Sequence, residues 1–188
     1  MKCVIKLGGS LIKNAQIHTC LSIIQKWPSP TIIVPGGGVF ADSVRNCQAE
    51  WQFDDSIAHR MAILAMQQSA LLIHSLSPDF ALLDSVSKLE LISTNCIWSP
   101  QCRDLDQGGI PHSWDISSDS LAAWIARRWQ ADLLILVKSA VFDRSASITE
   151  LQELGILDAA FHQYVEQDNL QIKIIPHADL ADLHDQIA

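Results

Sequence analysis

The sequence CVIKLGGS at residues 3–10 decides the fold, together with TIIVPGGG at residues 31–38. Each stretch is a short apolar run, as expected of a buried strand, and glycines follow it at once. The segment between them is long enough for one helix, so the two stretches predict a strand–helix–strand unit. In a parallel sheet both glycine loops then emerge at the same carboxyl edge.

The two glycine loops are the main functional signal. Glycine lets backbone N–H groups approach an anion closely, and a helix that begins at such a loop favours negative charge. One loop alone is a weak indication, but two loops on one edge, one of them preceded by Lys6, predict a site for two phosphate-like groups. Neither loop has the GxxxxGK[ST] spacing of a P-loop or the full GxGxxG dinucleotide fingerprint.

Composition restricts the class of protein. The 188 residues, 48% of them apolar, suffice for one domain with a real core, and the net charge of −8 without a basic cluster argues against nucleic-acid binding. The five cysteines lack CxxC spacing, which predicts a reducing, cytoplasmic compartment. We find no signal peptide and no apolar run near the roughly 20 residues that span a bilayer, so no membrane association is expected.

Alternating apolar runs and amphipathic segments predict a three-layer α/β domain with a mainly parallel sheet. The predicted strands cover residues 3–7, 31–34, 70–74, 89–92, 133–137 and 172–175. Helices are predicted at 15–26, from 39 onward, at 56–69, from an N-cap signal at 117–119 to about 129, and at 149–154, 158–165 and 178–187. Residues 99–112 are predicted to form a loop.

Three charged residues are candidates for chemistry at the carboxyl edge. Lys6 ends an apolar strand, where it can reach a transferring phosphoryl group or simply extend to solvent. Asp119 begins a predicted helix, where an acidic residue already favours the helix dipole; it could instead orient Lys6 through a charge-assisted hydrogen bond. Lys138 follows the most apolar strand and could neutralise nucleotide phosphates or remain a solvated loop lysine.

Two helix residues are weaker candidates for binding a substrate. Arg45 could bind an anion, or pair with Asp42 three residues before it. His59 could line a substrate cavity, although a lone histidine on a helix is more often structural or exposed. The histidines show neither HExxH nor other paired-ligand spacing, and no GxSxG elbow occurs, so no metal site and no serine nucleophile are predicted.

Taken as whole blocks, the sequence resembles the amino acid kinase family. The blocks are KLGGSL (6–11), VPGGGVFADSVR (34–45), ISSDSLAAWIA (116–126) and ADLLILVKSA (131–140). The resemblance implies a single αβα-sandwich domain, with an acceptor half over about 1–112 and a nucleotide half over about 113–188. It also implies transfer of the γ-phosphoryl group of ATP, with Mg²⁺, to a small phosphate or carboxylate acceptor, and a homo-oligomeric assembly.

Two further blocks narrow the resemblance to one branch. AHRMAILAMQQ (58–68) and IPHSWDISSDSLAAW (110–124) are similar to enzymes of methanofuran biosynthesis that convert an aminomethylfuran phosphate to its diphosphate. One alternative is a kinase of the uridylate or isopentenyl phosphate type. The other is a non-catalytic nucleotide-binding subunit on the same fold, which the reduced nucleotide-side segment at 137–143 favours.

The residue pattern and the resemblance together assign expected roles. Catalytic roles fall to Lys6, Asp119 and Lys138. Nucleotide binding falls to Gly8, Gly9, Ser10, Lys138 and Ser139. Acceptor binding falls to Gly36, Gly37, Gly38, Arg45, His59, Ser117 and Ser118.

Overall fold

The fold is a parallel sheet between two layers of helices. The computed structural model describes residues 1–13, 16–165, 169–176 and 179. Within these residues the sheet has six parallel strands in the order β3-β4-β2-β1-β5-β6. The strands are β1 Cys3–Leu7, β2 Thr31–Pro35, β3 Ala81–Leu83, β4 Cys96–Trp98, β5 Leu133–Lys138 and β6 Gln171–Pro176. The predicted αβα sandwich with a mainly parallel sheet is confirmed.

The helices alternate with the strands along the chain. The α-helices are α1 Gln16–Gln25, α2 Gly38–Trp51, α3 Asp55–Leu76, α4 Cys102–Gln107, α5 Ser118–Trp129 and α6 Ile148–Glu153. Short 3₁₀ helices cover Gly9–Lys13, Val86–Leu91 and Phe161–Tyr164. No described helix combines the length and the apolar character that a transmembrane span requires.

Two hydrophobic cores lie on opposite faces of the sheet. Because side chains alternate along a strand, Val4 and Leu134 pack with α5 in one core, whereas Ile5 and Ile135 pack with α1 in the other. Every residue of β1 is buried, which explains why this strand reads as a continuous apolar run interrupted only by Lys6. The buried lysine is therefore an exception that its surroundings must explain.

The register of the central strands positions the glycine loops. Leu7 pairs with Pro35 on one side and with Val137 on the other. The carboxyl ends of β1, β2 and β5 therefore lie side by side, as predicted for both loops and for Lys138. The loop after β1 leads into the 3₁₀ helix Gly9–Lys13, and the loop after β2 leads directly into α2.

The predicted strand at 70–74 is wrong, because these residues are the last part of α3. Ala70 and Ile73 are buried on the helix face that packs against the sheet. A short apolar run has the same composition in a buried helix as in a buried strand, so periodicity alone cannot separate them. No glycine or proline interrupts the chain between Asp55 and Leu76, and the helix continues.

The segment between α3 and α5 also differs from expectation. The predicted strand at 89–92 is wrong, because Val86–Leu91 forms a 3₁₀ helix, and the predicted loop at 99–112 contains α4. The strands of this region are β3 and β4, which have three residues each and are too short to show alternation. The predicted closing helix at 178–187 falls almost wholly outside the described residues.

Candidate active site

The two glycine loops touch each other backbone to backbone. A Cβ atom at Gly9 would lie 2.2 Å from the backbone nitrogen of Gly38, and one at Gly36 would lie 2.5 Å from the backbone nitrogen of Gly9. The N–H of Gly36 donates to the carbonyl of Leu7 at 2.8 Å, which ties the second loop to the end of β1. The contact requires the absence of side chains on both loops.

We expect Gly9→Ala to lower the free energy of unfolding by about 3 kcal/mol, because its methyl group meets backbone that cannot rotate away. Gly109→Ala is the matched control: Gly109 has a φ of +71° but nothing within 4 Å of an added Cβ. It should lose only about 1 kcal/mol through backbone strain. Urea unfolding of both variants measures the difference, and equal losses would contradict the described contact between the loops.

The start of α2 offers backbone donors to the space beside the loops. Gly37 is the N-cap of this helix and makes no side-chain cap. The N–H groups of the first turn have no partners within the helix, and the positive end of the helix dipole lies there. Such a helix start suits an anionic group.

Lys6, Asp119 and Lys138 form a buried ion cluster at the carboxyl edge. The Nζ atom of Lys6 lies 2.7 Å from Oδ1 of Asp119, and the Nζ atom of Lys138 lies 2.5 Å from Oδ2. The exposed fractions of the three side chains are 6%, 2% and 12% for Lys6, Asp119 and Lys138. The structure thus brings together the three residues that the sequence singled out for catalysis.

The three side chains of the cluster carry more positive than negative charge. Burial alone would raise the pKa of Asp119, but the two ammonium groups hold it below its usual value. Burial, reinforced by the neighbouring ammonium of Lys6, lowers the pKa of Lys138 despite the attraction of Asp119. The three side chains sum to a formal charge of +1 in a poorly solvated place, and the carboxylate of Asp158, which also attracts Lys138, offsets part of it. An anion suits such a place.

Asp158 positions the start of α5, on which Asp119 stands. Its carboxylate accepts from the backbone N–H groups of Ser117 at 2.8 Å and Ser120 at 3.0 Å. It also accepts from the hydroxyl groups of these serines at 2.6 and 3.0 Å. Ser117, the N-cap, makes no side-chain cap bond of its own, so Asp158 supplies the cap from a distant segment.

A cavity of about 240 Å³ opens beside the loops. Its lining includes these nine predicted site residues: Gly9, Ser10, Gly36, Gly37, Gly38, Arg45, His59, Ser117 and Ser118. The other predicted residues, Lys6, Gly8, Asp119, Lys138 and Ser139, do not line it. Gly8 adjoins the ammonium of Lys6 and donates its N–H to Val137 at 3.2 Å, whereas Ser139 is exposed just beyond β5.

Arg45 packs on an aromatic ring at the wall of the cavity. Its guanidinium lies 3.7 Å from the ring centre of Trp114. The indole N–H of Trp114 donates to Oε1 of Gln48 at 2.6 Å, which fixes the ring between α2 and the segment before α5. Trp114 thus holds that segment over the cavity and orients Arg45.

His59 is buried and lines the same cavity. Its ring stacks on that of His112 at 4.5 Å, and within the described residues its Nε2 atom has no hydrogen-bond partner. Burial, with the added influence of His112, lowers the pKa of His59 to about 4, although Asp106 acts in the opposite direction. His59 is therefore a neutral ring at pH 7.

Comparison with known proteins identifies the family. The model of the amino acid kinase family matches residues 1–144. The chain belongs to the amino acid kinase family. A curated relative, [5-(aminomethyl)furan-3-yl]methyl phosphate kinase from Methanocaldococcus jannaschii, is 27% identical over 132 residues. The match covers 66% of this chain and 59% of the relative's length.

Solved structures of several kinases share the fold. Uridylate kinase from Archaeoglobus fulgidus superposes with a TM-score of 0.71 at 18% identity, covering 100% of this chain and 97% of that one. UMP kinase from Ureaplasma parvum gives 0.73 at 16% identity, covering 100% and 96%. An isopentenyl phosphate kinase gives 0.65 at 13% identity, covering 100% and 96%. At these identities the likeness shows the fold alone.

The candidate site offers cations and backbone amides. Among the described residues, no group of three or more His, Cys, Asp or Glu side chains is arranged to hold a metal ion. The groups that could hold phosphates are the ammonium groups of Lys6 and Lys138, the hydroxyl of Ser10 and the amides of the two loops. These donors fit a nucleotide that brings its own divalent cation.

Sequence reasoning missed four residues around this candidate site: Asp158, Trp114, Gln48 and Asp55. Asp158 bonds to Ser117 across 41 positions of sequence, and Trp114 bonds to Gln48 across 66. Separations of this length belong to no local sequence motif. The residue types involved are also common at helix ends and in loops, so they do not mark a site by themselves. The tryptophan inside the block at 110–124 was the one available signal, because an aromatic side chain next to a serine-rich helix start suits a binding wall.

Proposed function

We propose that the protein is an ATP-dependent kinase that transfers the γ-phosphoryl group to a phosphate oxygen of a small acceptor. The observation that carries the proposal is the buried Lys6–Asp119–Lys138 cluster beside two interlocked glycine loops. A fold can host many functions, so the chemistry of this site is the stronger argument. Excess positive charge and the backbone N–H groups at the start of α2, on one edge of the sheet, suit two phosphate groups held face to face.

The reaction is an in-line displacement. An acceptor phosphate oxygen attacks the γ-phosphorus, the bond to the β,γ-bridging oxygen breaks, and ADP leaves with the electron pair. A phosphate oxygen is already ionised at neutral pH, so the reaction needs no strong general base. Burial lowers the pKa of His59 to about 4, so its ring is neutral at that pH. Catalysis then rests on positioning and on neutralising charge over the equatorial oxygens.

The nucleotide is proposed to bind by Gly8, Gly9, Ser10, Lys138 and Ser139, at the ends of β1 and β5. Asp119, which contacts the Nζ atoms of both lysines, would hold them directed toward the transferring group. Mg²⁺ would arrive on ATP and neutralise part of its phosphate charge, since the described residues contain no metal cage. The acceptor would occupy the cavity, with Gly36–Gly38 between it and the transferring phosphate.

The proposed acceptor half and nucleotide half both contribute residues to the same cavity. The cavity is lined by residues of α2 and α3, but also by residues 113–121 from beyond the proposed boundary at 112. The start of α5 therefore belongs to both halves: Ser117 and Ser118 face the acceptor side, and the next residue, Asp119, holds the lysines. This sharing supports the proposal of a single domain.

The acceptor we favour is aminomethylfuran phosphate, converted to its diphosphate in the synthesis of a methanofuran-type cofactor. Support comes from the M. jannaschii relative, whose name specifies that acceptor. Uridylate and isopentenyl phosphate are the competing acceptors, because kinases of those names share the fold.

A panel of acceptors tests the proposed reaction. Purified protein with Mg-ATP should release ADP only when a monophosphate acceptor is present, as followed by a coupled assay. Binding of ATP, measured separately by thermal stabilisation, controls for an intact nucleotide site. Stabilisation by ATP without ADP release on any acceptor would support the non-catalytic nucleotide-binding subunit instead.

We also propose that the protein is a cytoplasmic homo-oligomer. Ile57, Leu64 and Leu71 are 47%, 53% and 56% exposed and repeat every seven residues on α3. This spacing forms an apolar stripe along one face, of the kind that pairs with another helix. The cysteines are all free, as expected of a reducing compartment.

We expect Leu64→Glu to shift the purified protein from oligomer to monomer, because a carboxylate would be desolvated at the middle of the stripe. Leu91→Glu is the control, since Leu91 is 78% exposed on a 3₁₀ helix away from α3. Light scattering after size-exclusion chromatography measures the mass. An unchanged mass for Leu64→Glu, or dissociation of both variants, would rule out this face.

A further inference from the structure

The cavity beside the loops carries a carboxylate at its far end. Ser69 on α3 donates to the carbonyl of Gly37 at 3.4 Å, so this part of α3 adjoins the loops. Asp55, the first residue of α3, lies fourteen residues earlier, about 20 Å along the helix axis. It nevertheless lines the same cavity. The cavity is therefore elongated, with the glycine loops at one end and Asp55 at the other.

Charge differs between the two ends. The loop end adjoins the positive Lys6–Asp119–Lys138 cluster. Along the rest of the wall the lining residues include the carboxylates of Asp42 and Asp55 and the guanidinium of Arg45, which is stacked on Trp114. An acceptor that is anionic at one end and cationic at the other matches this arrangement.

Asp55 is oriented by a chain of directed hydrogen bonds. The indole N–H of Trp114 can only donate, so Oε1 of Gln48 must accept it at 2.6 Å. The amide nitrogen of Gln48 consequently faces Asp55 and donates to its Oδ1 at 2.8 Å. This bond engages one oxygen of the exposed Asp55 carboxylate, and the other oxygen, Oδ2, can face a ligand.

A second group on the same wall also lacks a partner. The Nε2 atom of His59 is buried and makes no hydrogen bond to the described residues. Because a buried polar atom without a partner is unfavourable, Nε2 favours a polar group beside it in the cavity, from a ligand or from water. His59 follows Asp55 by one turn of α3, so the two side chains lie on the same face of the helix. Both can contact the same end of a bound molecule.

We propose that Asp55 binds an ammonium group at the end of the acceptor that lies away from its phosphate. This inference rests on the proposed function and assigns the acceptor to the class of amine-bearing phosphate esters. Uridylate and isopentenyl phosphate carry no cation, so either would leave Asp55 without a charged partner. An aminomethyl group, protonated at neutral pH, supplies one through a charge-assisted hydrogen bond.

The experiment compares two ligands that differ only in the amine. [5-(Aminomethyl)furan-3-yl]methyl phosphate and its analogue with a methyl group in place of the aminomethyl group are titrated calorimetrically without nucleotide. We expect the wild type to bind the amine at least about 10-fold more tightly, in keeping with a hydrogen bond between charged groups. Asp55→Asn should bind both ligands with the weaker affinity.

Three controls make the result specific. Asp84→Asn removes an exposed carboxylate that pairs with Lys88 and should keep the amine preference. Asp55→Glu retains the negative charge and should keep part of the preference for the amine. Thermal unfolding checks that Asp55→Asn is folded. A wild type without amine preference, or an Asp55→Asn variant that weakens both ligands equally, would overturn the inference.

Failure of the proposed function has a different signature. Both compounds are also assayed for ADP release with Mg-ATP. If binding favours the amine but no ADP is released, the assignment of Asp55 stands and the kinase proposal falls. If both compounds are phosphorylated with equal kcat/KM by the wild type and by Asp55→Asn, the kinase proposal stands and the assignment of Asp55 falls.

Discussion

Replacing Lys6 by methionine is expected to lower kcat by about 10³-fold, the effect of removing one group that stabilises transition-state charge. Methionine keeps most of the volume and removes the ammonium group. The remaining pair, Asp119 and Lys138, is electrically balanced, with Nζ of Lys138 2.5 Å from Oδ2. Because Lys138 remains as the counter-charge of Asp119, the substitution leaves no buried carboxylate unpaired, and the thermal midpoint should change little.

Two other variants serve as comparisons for Lys6→Met, one for its turnover and one for its stability. Lys88→Met, at an exposed lysine paired with Asp84, should leave kcat unchanged. The double variant Lys6→Met, Lys138→Met should lower the free energy of unfolding, because it leaves the buried Asp119 without a counter-charge. If Lys6→Met retained kcat within about 10-fold of the wild type while remaining folded, the cluster would not be the centre of the chemistry.

Replacing Asp158 by alanine is expected to affect both stability and turnover. Its carboxylate accepts four hydrogen bonds from Ser117 and Ser120. Losing a charged acceptor for these donors should lower the free energy of unfolding by about 3 kcal/mol. Turnover should fall about 10²-fold, because Asp119 stands on the helix turn that Asp158 holds, and small displacements of catalytic groups have effects of this size.

A cap elsewhere in the fold separates these two effects. Ser147 begins α6 and forms a capping box with Glu150. Ser147→Ala should lower the free energy of unfolding by about 1 kcal/mol and leave kcat unchanged. Urea unfolding and ADP release are measured on both variants. A loss of stability without loss of kcat in Asp158→Ala would mean that the cap does not position Asp119.

The sequence was sufficient to predict the edge of the sheet on which the site lies. Glycines directly after apolar runs mark the carboxyl ends of buried parallel strands, and this rule alone brings Gly9, Gly36 and Lys138 to one edge. The pairing of Lys6 with Asp119 had another basis, namely the position of Asp119 at a predicted helix start and the resemblance to the family. The rule is strong because strand direction and strand end are both encoded within a few residues.

The remaining features depend on contacts that no local pattern encodes. The end of α3 was predicted as a strand because the apolar run at residues 70–73 suits a buried strand as well as a buried helix. Packing against the sheet, which the local sequence does not encode, decides between the two. Asp158 was placed on a helix of its own, whereas it caps another one. The chain from Trp114 through Gln48 to Asp55 joins three separate segments, and its direction follows from donor and acceptor chemistry in space.

The most direct test of the account is ³¹P NMR of the wild-type protein with Mg-ATP and [5-(aminomethyl)furan-3-yl]methyl phosphate. The account predicts that the acceptor's monophosphate resonance is replaced by the two coupled resonances of a diphosphate, in step with conversion of ATP to ADP. Persistence of the monophosphate resonance and of intact ATP, with enzyme that still binds the nucleotide, would contradict it.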